Sequence, residues 1–263
     1  MGRAVYHGPS CPPQIGDRKL PRYTSTLSNP AWSTNALTEP LFDLAAEYEQ
    51  LLDQGLSLSG ENRRFFLRGR VADLRQQLRG DLVPRRILDF GCGTGDTSRY
   101  LAEEFSGADV LGVDNARNAL AWAETHHGGP RVRFEHLDAF DADAAFDLCY
   151  VNGVFHHVAP ERRGELAGRL SRALRTGGML ALFENNPWNP GARMVMRRIP
   201  FDRDAIPLSP PETRRLVEAA GLRVVGVRSL FYFPSALAFL RPLEPALAFL
   251  PLGAQYYVLG AKT

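Results

Sequence analysis

The feature that most constrains the fold of this chain is a regular alternation of short apolar segments with amphipathic ones between residues 86 and 183. The apolar segments predict β-strands at 86–90, 110–114, 132–136, 146–151 and 179–183, and helical spacing predicts helices at 97–105, 116–125 and 160–174. Strands that alternate with helices in this way form right-handed βαβ units and a parallel sheet that helices cover on both faces. The sequence therefore predicts an α/β fold with a doubly wound sheet.

Further elements are predicted on both sides of this region. Two helices precede it, at about 41–52 and 61–78, and a helix at 211–220 and two strands at 223–229 and 255–261 follow it. The second of the two early helices carries arginines opposite its apolar residues, and we interpret them as a solvated face. These arginines are Arg63, Arg64, Arg68, Arg70, Arg75 and Arg79.

Composition excludes several classes of protein. The 31 basic and 29 acidic side chains give a net charge of +2, which is no electrostatic footprint for a nucleic acid. The three cysteines are widely spaced, so they favour a reducing cytosol over a disulfide framework or a zinc site. The apolar stretch at 230–252 is interrupted by an arginine, a glutamate and four prolines, so we expect no stable membrane insertion. With no secretory signal visible, these observations predict a cytoplasmic protein.

A glycine-rich loop follows the first predicted strand. Glycines at 91, 93 and 95 have the spacing GxGxG, whereas a dinucleotide-binding loop needs its third glycine at position 96, where this chain has Asp96. A pyrophosphate at the start of the next helix would meet that carboxylate, which is unfavourable. The loop therefore predicts close approach of a ligand without phosphates, and Asp89, just before the glycines, suits a ligand that carries an ammonium group.

The segment Asp89-Phe90-Gly91-Cys92-Gly93-Thr94-Gly95 resembles the first motif of class I S-adenosylmethionine-dependent methyltransferases. The resemblance is strong over about residues 85–185. It implies a Rossmann-like, doubly wound, seven-stranded sheet, mostly parallel with an antiparallel C-terminal strand, plus an N-terminal helical lid. It also implies S-adenosylmethionine as cofactor, with the acid and glycines at its methionine portion, Asp114 at the ribose hydroxyls and Asp138 near the adenine. The cofactor-binding residues implied in this way are Asp89, Phe90, Gly91, Cys92, Gly93, Asp114, Asn115, Asp138, Ala139, Asn152 and Gly153.

Candidates for the chemistry lie after the fourth and fifth predicted strands. His156 and His157 are the first candidates for a general base, and Glu184 is a second one, although packing or helix capping would also account for the histidines. The aromatic residues Tyr48, Trp188, Phe231 and Tyr232 are candidates for substrate contact. No cluster of carboxylates follows the fourth strand, so no metal is predicted.

The chain divides by composition and by the resemblance into three parts. Residues 1–40 are predicted to be an extended or flexible segment, 41–82 a helical lid or substrate-binding region, and 83–263 the class I methyltransferase domain with an apolar insert at about 230–252. We expect a methyltransferase that acts as a monomer or homodimer on O, N or C of a hydrophobic small molecule of natural-product or lipid-like type. The alternatives are a non-methylating S-adenosylmethionine-binding enzyme or scaffold on the same fold and an NAD(P)-dependent oxidoreductase, which the glycine spacing opposes.

Overall fold

The computed structural model describes residues 52–78 and 82–263, and within them seven strands form one sheet. The strand order is β3-β2-β1-β4-β5-β7-β6. Strands β1 to β5 are parallel, and β7 is antiparallel to both of its neighbours, β5 and β6. The strands are β1 (Arg86–Phe90), β2 (Asp109–Asp114), β3 (Val132–His136), β4 (Phe146–Asn152), β5 (Leu174–Asn185), β6 (Arg223–Leu230) and β7 (Gln255–Ala261). The predicted Rossmann-like sheet with one antiparallel C-terminal strand is confirmed.

Helices lie on both faces of this sheet. They are α1 (Arg63–Gln77), α2 (Asp96–Glu104), α3 (Arg117–His127), α4 (Pro160–Ala173), α5 (Pro190–Arg198), α6 (Pro210–Ala219) and the short α7 (Glu244–Leu247). Within residues 52–78 and 82–263, four 3₁₀ segments accompany them, at Ser57–Ser59, Phe155–His157, Pro200–Asp202 and Ser235–Leu243. No helix in the described ranges is both long and apolar enough to span a bilayer.

Alternation along the strands supplies two apolar layers. In β4, Leu148 and Tyr150 pack on one face of the sheet, whereas Cys149 and Val151 pack on the other. Helix α1 contributes to the layer that contains Leu148 and Tyr150. Its Leu74 is fully buried there, so α1 packs directly on the sheet.

Local signals in the sequence explain where the helices begin. The side chain of Asn62 accepts a hydrogen bond from the backbone N–H of Phe65 and so caps α1. Helix α6 begins with a capping box in which Ser209 and Glu212 each satisfy a backbone N–H of the other. These caps fix the first turn of α1, which flanks the cavity, and the first turn of α6, which packs on the C-terminal strands β6 and β7.

The structure differs from the predicted elements in strand β5, in the segment after β5, and in the insert at 230–252, where the 3₁₀ segment Ser235–Leu243 and helix α7 lie. Strand β5 is longer than the predicted 179–183, because pairing continues from Leu174 through an irregularity next to Gly177, whose φ is +77°. Helix α5 and the 3₁₀ turn that follows it, Pro200–Asp202, were not predicted, since prolines surround this region. The segment 1–40 and Tyr48 lie outside the described residues.

Candidate active site

The glycine loop lies between β1 and α2 at the carboxyl end of the sheet. Gly91, Gly93 and Gly95 all have positive φ angles, of 77°, 52° and 85°, a region that favours glycine. A Cβ at Gly91 would lie 2.3 Å from a methyl group of Val154, whereas a Cβ at Gly93 would meet no atom within 4 Å. The backbone of Gly93 therefore faces open space, as a loop that a ligand approaches closely requires.

Asp114 at the end of β2 is joined to this loop. Its carboxylate accepts the backbone N–H of Gly93 at 2.8 Å and that of Ala116 at 2.9 Å. Burial raises the pKa of Asp114, and these backbone hydrogen bonds act in the opposite direction. Because each carboxylate oxygen has two lone pairs, Asp114 retains acceptor sites for a ligand.

Asp89 lies behind the loop and is almost fully buried. Its carboxylate accepts the hydroxyl of Ser98 on α2 at 2.6 Å, and it does not line the cavity. Burial raises the pKa of Asp89 to about 7, with a further increase from the charge of Asp114 and opposing effects of Ser98 and Arg70. The carboxyl group therefore titrates near neutral pH.

Arg70 corrects our interpretation of the α1 arginines as a solvated face. Its side chain is 7% exposed and lines the cavity, as does Arg63. The guanidinium of Arg70 donates to the hydroxyl of Tyr150 at 3.1 Å and to the side-chain oxygen of Gln255 at 2.9 Å. Helical spacing could not distinguish this arginine from its solvated neighbours, because the cavity lies at the edge of the buried face of α1.

The far end of the cavity holds a cluster of buried polar side chains. Nδ1 of His156 lies 2.5 Å from Oε2 of Glu184, and the other carboxylate oxygen of Glu184 accepts the backbone N–H of Phe155 at 2.8 Å. Oδ1 of Asp202 lies 3.5 Å from Nε2 of His156 and 3.3 Å from Nε2 of His157. Asp202 comes from the 3₁₀ turn after α5, and no local sequence signal indicates it.

Charge in this cluster is set by the two carboxylates. Burial alone would lower the pKa of His156, but the charges and hydrogen bonds of Glu184 and Asp202 raise it to about 10. Burial alone would raise the pKa of Asp202, but its contacts with His156 and His157 lower it to about 2. His156 is therefore held as a cation between two carboxylates at neutral pH in the metal-free protein, which leaves it without a free lone pair for proton abstraction.

One cavity of about 280 Å³ joins the glycine loop to this cluster. Ten of the predicted site residues line it, namely Phe90, Gly91, Cys92, Gly93, Asp114, Asn115, Asn152, Gly153, His156 and His157. Apolar side chains complete its wall, among them Leu52, Leu56, Phe66, Leu67, Val195 and Ile199. The structure thus places most of the predicted cofactor residues and both histidines around one space.

Other predicted residues do not line this cavity. Asp138 is exposed and contacts Arg117 and His136, and Leu137 lines the wall at this position. Phe231 packs on Phe66 with ring centroids 4.9 Å apart. The remaining residues of this group are Asp89, Ala139, Glu184, Trp188 and Tyr232.

Comparison with known proteins is consistent with this geometry. Residues 87–178 match a family described as a methyltransferase domain. A trans-aconitate 2-methyltransferase of Deinococcus radiodurans is 38% identical over 105 residues, which are 38% of this chain and 40% of that enzyme. A demethylmenaquinone methyltransferase of Thermus thermophilus is 34% identical over 166 residues, 61% of this chain and 71% of that enzyme. The chain thus spans less than half of the first relative and more than two thirds of the second.

The fold comparison agrees with these relatives. A solved structure of a methyltransferase from Thermotoga maritima, described as S-adenosylmethionine-dependent and a possible histamine N-methyltransferase, superposes with a TM-score of 0.59 at 20% identity. The superposition covers 85% of this chain and 98% of that one. Sheet order, glycine loop and relatives together lead to one conclusion: this chain belongs to the class I S-adenosylmethionine-dependent methyltransferases.

Proposed function

We propose that this protein transfers the methyl group of S-adenosylmethionine to an oxygen, nitrogen or carbon atom of a hydrophobic small molecule. The observation that carries the proposal is one continuous cavity, which extends from the glycine loop and Asp114 to the buried polar cluster that contains His157 and Asp202. A cofactor bound at the glycine loop would direct its methyl group toward the polar cluster. When bound, S-adenosylmethionine supplies the electrophilic methyl group.

The residues around the glycine loop fit the nucleoside of this cofactor. Gly93 offers backbone at an open position, and the carboxylate of Asp114 can accept the two ribose hydroxyls. Small and apolar side chains of Ala116, Ala119 and Leu137 line the adjoining wall, where a flat adenine ring would pack. The predicted contact of Asp138 with the adenine stays a prediction, since its side chain is exposed beside this wall.

Charges near the loop fit the amino-acid end of the cofactor. Arg70 carries the positive charge that a carboxylate needs, and it is oriented by Tyr150 and Gln255. Asp89 lies just behind the loop without lining the cavity, and its ionised form, present above about pH 7, favours the ammonium group. We therefore assign Arg70, which the sequence did not suggest, to the cofactor end.

At the other end, His157 is the residue that meets the acceptor. Both histidines line the cavity, but the side chain of His157 is 15% exposed, whereas that of His156 is 3% exposed and lies between Glu184 and Asp202. We assign His156 and Glu184 to positioning, because they hold the turn that carries His157. Methyl transfer is an in-line displacement, so the main tasks of the site are alignment of the reactants and exclusion of water.

The apolar part of the wall supports a hydrophobic acceptor. Leu52, Leu56, Phe66, Val195 and Ile199 line it, which is typical of sites for small organic molecules. The relatives are named for acceptors of both kinds, demethylmenaquinone in Thermus thermophilus and the tricarboxylate trans-aconitate in Deinococcus radiodurans, so the wall itself carries this part of the proposal. The cysteines Cys92 and Cys149 are free and buried, which supports the cytoplasmic location that we infer.

A nicotinamide dinucleotide fits this site poorly. Asp96 occupies the first turn of α2, within 3.4 Å of Arg63 and His127, at the point where the pyrophosphate of a dinucleotide would lie. The stronger alternative is a protein that binds S-adenosylmethionine without transferring its methyl group.

Isothermal titration with S-adenosylhomocysteine and with NADH tests the cofactor, and transfer of a tritiated methyl group to a panel of hydrophobic phenols, quinols, amines and carboxylic acids tests the reaction. We expect binding of S-adenosylhomocysteine alone and label in at least one acceptor. Binding of NADH alone would overturn the assignment. Binding of S-adenosylhomocysteine without transfer to any acceptor would favour the non-methylating alternative.

A further inference from the structure

His156, His157 and Asp202 bring three potential metal-ligand atoms close together at the cavity wall. Oδ1 of Asp202 is 3.5 Å from Nε2 of His156 and 3.3 Å from Nε2 of His157, and the three ligand atoms all lie within 4.8 Å of one another. Ligands at about 2.1 Å from a tetrahedral metal ion are separated by about 3.4 Å. Two of the three separations already have this value.

The orientation of His156 is fixed from its other side. Its Nδ1 faces Glu184 at 2.5 Å, and Glu184 is itself held by the backbone N–H of Phe155. A histidine that binds a metal through Nε2 commonly donates its Nδ1–H to a carboxylate, which fixes the tautomer and increases the basicity of the ligand. Glu184 stands in that position, because only Nε2 of His156 remains to face Asp202 and the cavity. A metal ion at Nε2 would displace the proton that this nitrogen carries in the metal-free protein and release it to solvent.

The three ligands come from two segments that are tied together. The histidines lie in the 3₁₀ turn after β4, and Asp202 lies in the 3₁₀ turn after α5. The backbone N–H of Ile206 donates to the carbonyl oxygen of His156 at 2.9 Å, which holds the second segment against the first. The cluster is thus a product of the fold, not of exposed side chains that meet at a surface.

We propose that His156, His157 and Asp202 form a binding site for a divalent transition-metal ion. Two imidazoles and one carboxylate suit Zn²⁺, Fe²⁺, Co²⁺ or Mn²⁺, whereas Mg²⁺ and Ca²⁺ are usually bound by oxygen ligands alone. All three residues line the cavity, so the remaining coordination positions are open to it. Three protein ligands with an open position are characteristic of metal sites that meet a ligand, in contrast to closed structural sites.

This site was not predicted from the sequence, where no metal was expected. No cluster of carboxylates follows the fourth strand in the sequence, and Asp202 lies 45 residues beyond His157 in the chain. The inference goes beyond the proposed function, and cofactor binding does not require it. If both proposals hold, His157 is a metal ligand, and the metal ion would contact the acceptor in place of the His157 side chain.

Titration of tag-free protein, stripped with a chelator, with Co²⁺ alone tests the proposal. We expect one Co²⁺ per chain with visible absorption of a nitrogen- and oxygen-ligated ion, and displacement of this signal by Zn²⁺. His157→Ala and Asp202→Asn should abolish the signal. Glu184→Gln should weaken Co²⁺ binding by about 10- to 100-fold, since it leaves the ligands in place but alters their support.

Asp204→Asn is the matched control, because Asp204 is an exposed carboxylate two residues from Asp202. Its Co²⁺ binding should equal that of the wild type. S-adenosylhomocysteine binding, measured on the same samples, reports folding and tests the proposed function separately. Absence of Co²⁺ binding in wild-type protein that binds S-adenosylhomocysteine would overturn the metal site. Equal Co²⁺ binding by the wild type, His157→Ala and Asp202→Asn would also overturn it, because that result indicates an adventitious ion.

Discussion

Asp114 is the residue on which the cofactor assignment depends most directly. Asp114 lines the cavity beside the glycine loop, and its carboxylate can accept both ribose hydroxyls. Hydrogen bonds to a charged group contribute about 1.5–3 kcal/mol each. We therefore expect Asp114→Ala to weaken S-adenosylhomocysteine binding by about 10- to 1000-fold, measured by isothermal titration calorimetry.

Asp109→Ala is the control for this substitution, because Asp109 lies at the opposite end of the same strand. It should bind S-adenosylhomocysteine like the wild type. If Asp114→Ala bound S-adenosylhomocysteine as tightly as the wild type, Asp114 would not bind the ribose hydroxyls.

The raised pKa of Asp89 predicts that the stability of the folded protein depends on pH. Burial raises its pKa from 3.8 to about 7 in the folded protein, so between these pH values the folded state binds more protons than the unfolded state. The contribution of Asp89 to stability is therefore complete below about pH 4 and is lost as the pH rises through about 7. In cofactor-free protein, Asp89→Asn should exceed the wild type in Tm by more than about 2 °C at pH 8, and this advantage should decrease as the pH falls toward 4.

Thermal unfolding of Asp109→Asn provides the comparison, since this residue lies outside the cavity and its difference in Tm from the wild type should not follow the same course with pH. A difference for Asp89→Asn that stayed constant between pH 4 and pH 8 would contradict the raised pKa.

The position of His157 at the acceptor end predicts that its substitution reduces kcat. If it meets the acceptor's reacting atom, as a base or as a metal ligand, His157→Ala should reduce kcat by about 10²- to 10⁴-fold and leave the Kd of S-adenosylhomocysteine nearly unchanged. His126→Ala, in the exposed last turn of α3, should retain full activity. A reduction in kcat of less than threefold in His157→Ala would contradict this role. If Glu184→Gln were then inactive, Glu184 would be the base. If Glu184→Gln were active as well, alignment of the reactants would be the whole mechanism.

At the scale of elements, helix α1 connects the N-terminal side of the chain to the cofactor end. Arg70 reaches from this helix to Tyr150 on β4 and Gln255 on β7. We expect Arg70→Gln to weaken S-adenosylhomocysteine binding by at least about tenfold, because a charge-assisted contact with its carboxylate would be lost. Arg75→Gln is matched to it on the same helix, where Arg75 pairs with Glu104 at the surface. If both variants bound S-adenosylhomocysteine with the same affinity, the carboxylate of the cofactor would not contact Arg70.

Elements with strong periodicity were predictable to within a residue or two. Strands β1, β3 and β7 have the predicted bounds. Strands β1 and β7 are mostly apolar and lie near glycines, whereas β3 alternates apolar and polar residues after a Gly-Gly-Pro turn. Helix α5 could not be predicted in the same way, since nine residues between prolines give a weak helical signal. Asp202 was missed for a related reason, because its approach to His156 depends on the path of the chain through α5.

At the scale of the whole molecule, the cofactor end was more predictable than the acceptor end. Parallel strands bring their carboxyl ends to one edge of a sheet, so β1, β2 and β4 place the glycine loop, Asp114 and Asn152 together by topology alone. The acceptor end is built from Val195, Ile199 and Asp202, which lie on a connection between β5 and α6. No rule of sheet topology fixes the path of such a connection.

The connection between β5 and α6 leaves the sheet at Asn185 and meets helix α6 at Pro210. It carries one wall of the cavity, but none of the residues that we assign to the cofactor. Its sequence can therefore diverge without a cost in cofactor affinity, and descendants of one ancestral enzyme could acquire new acceptors by changing this segment while the sheet is inherited intact.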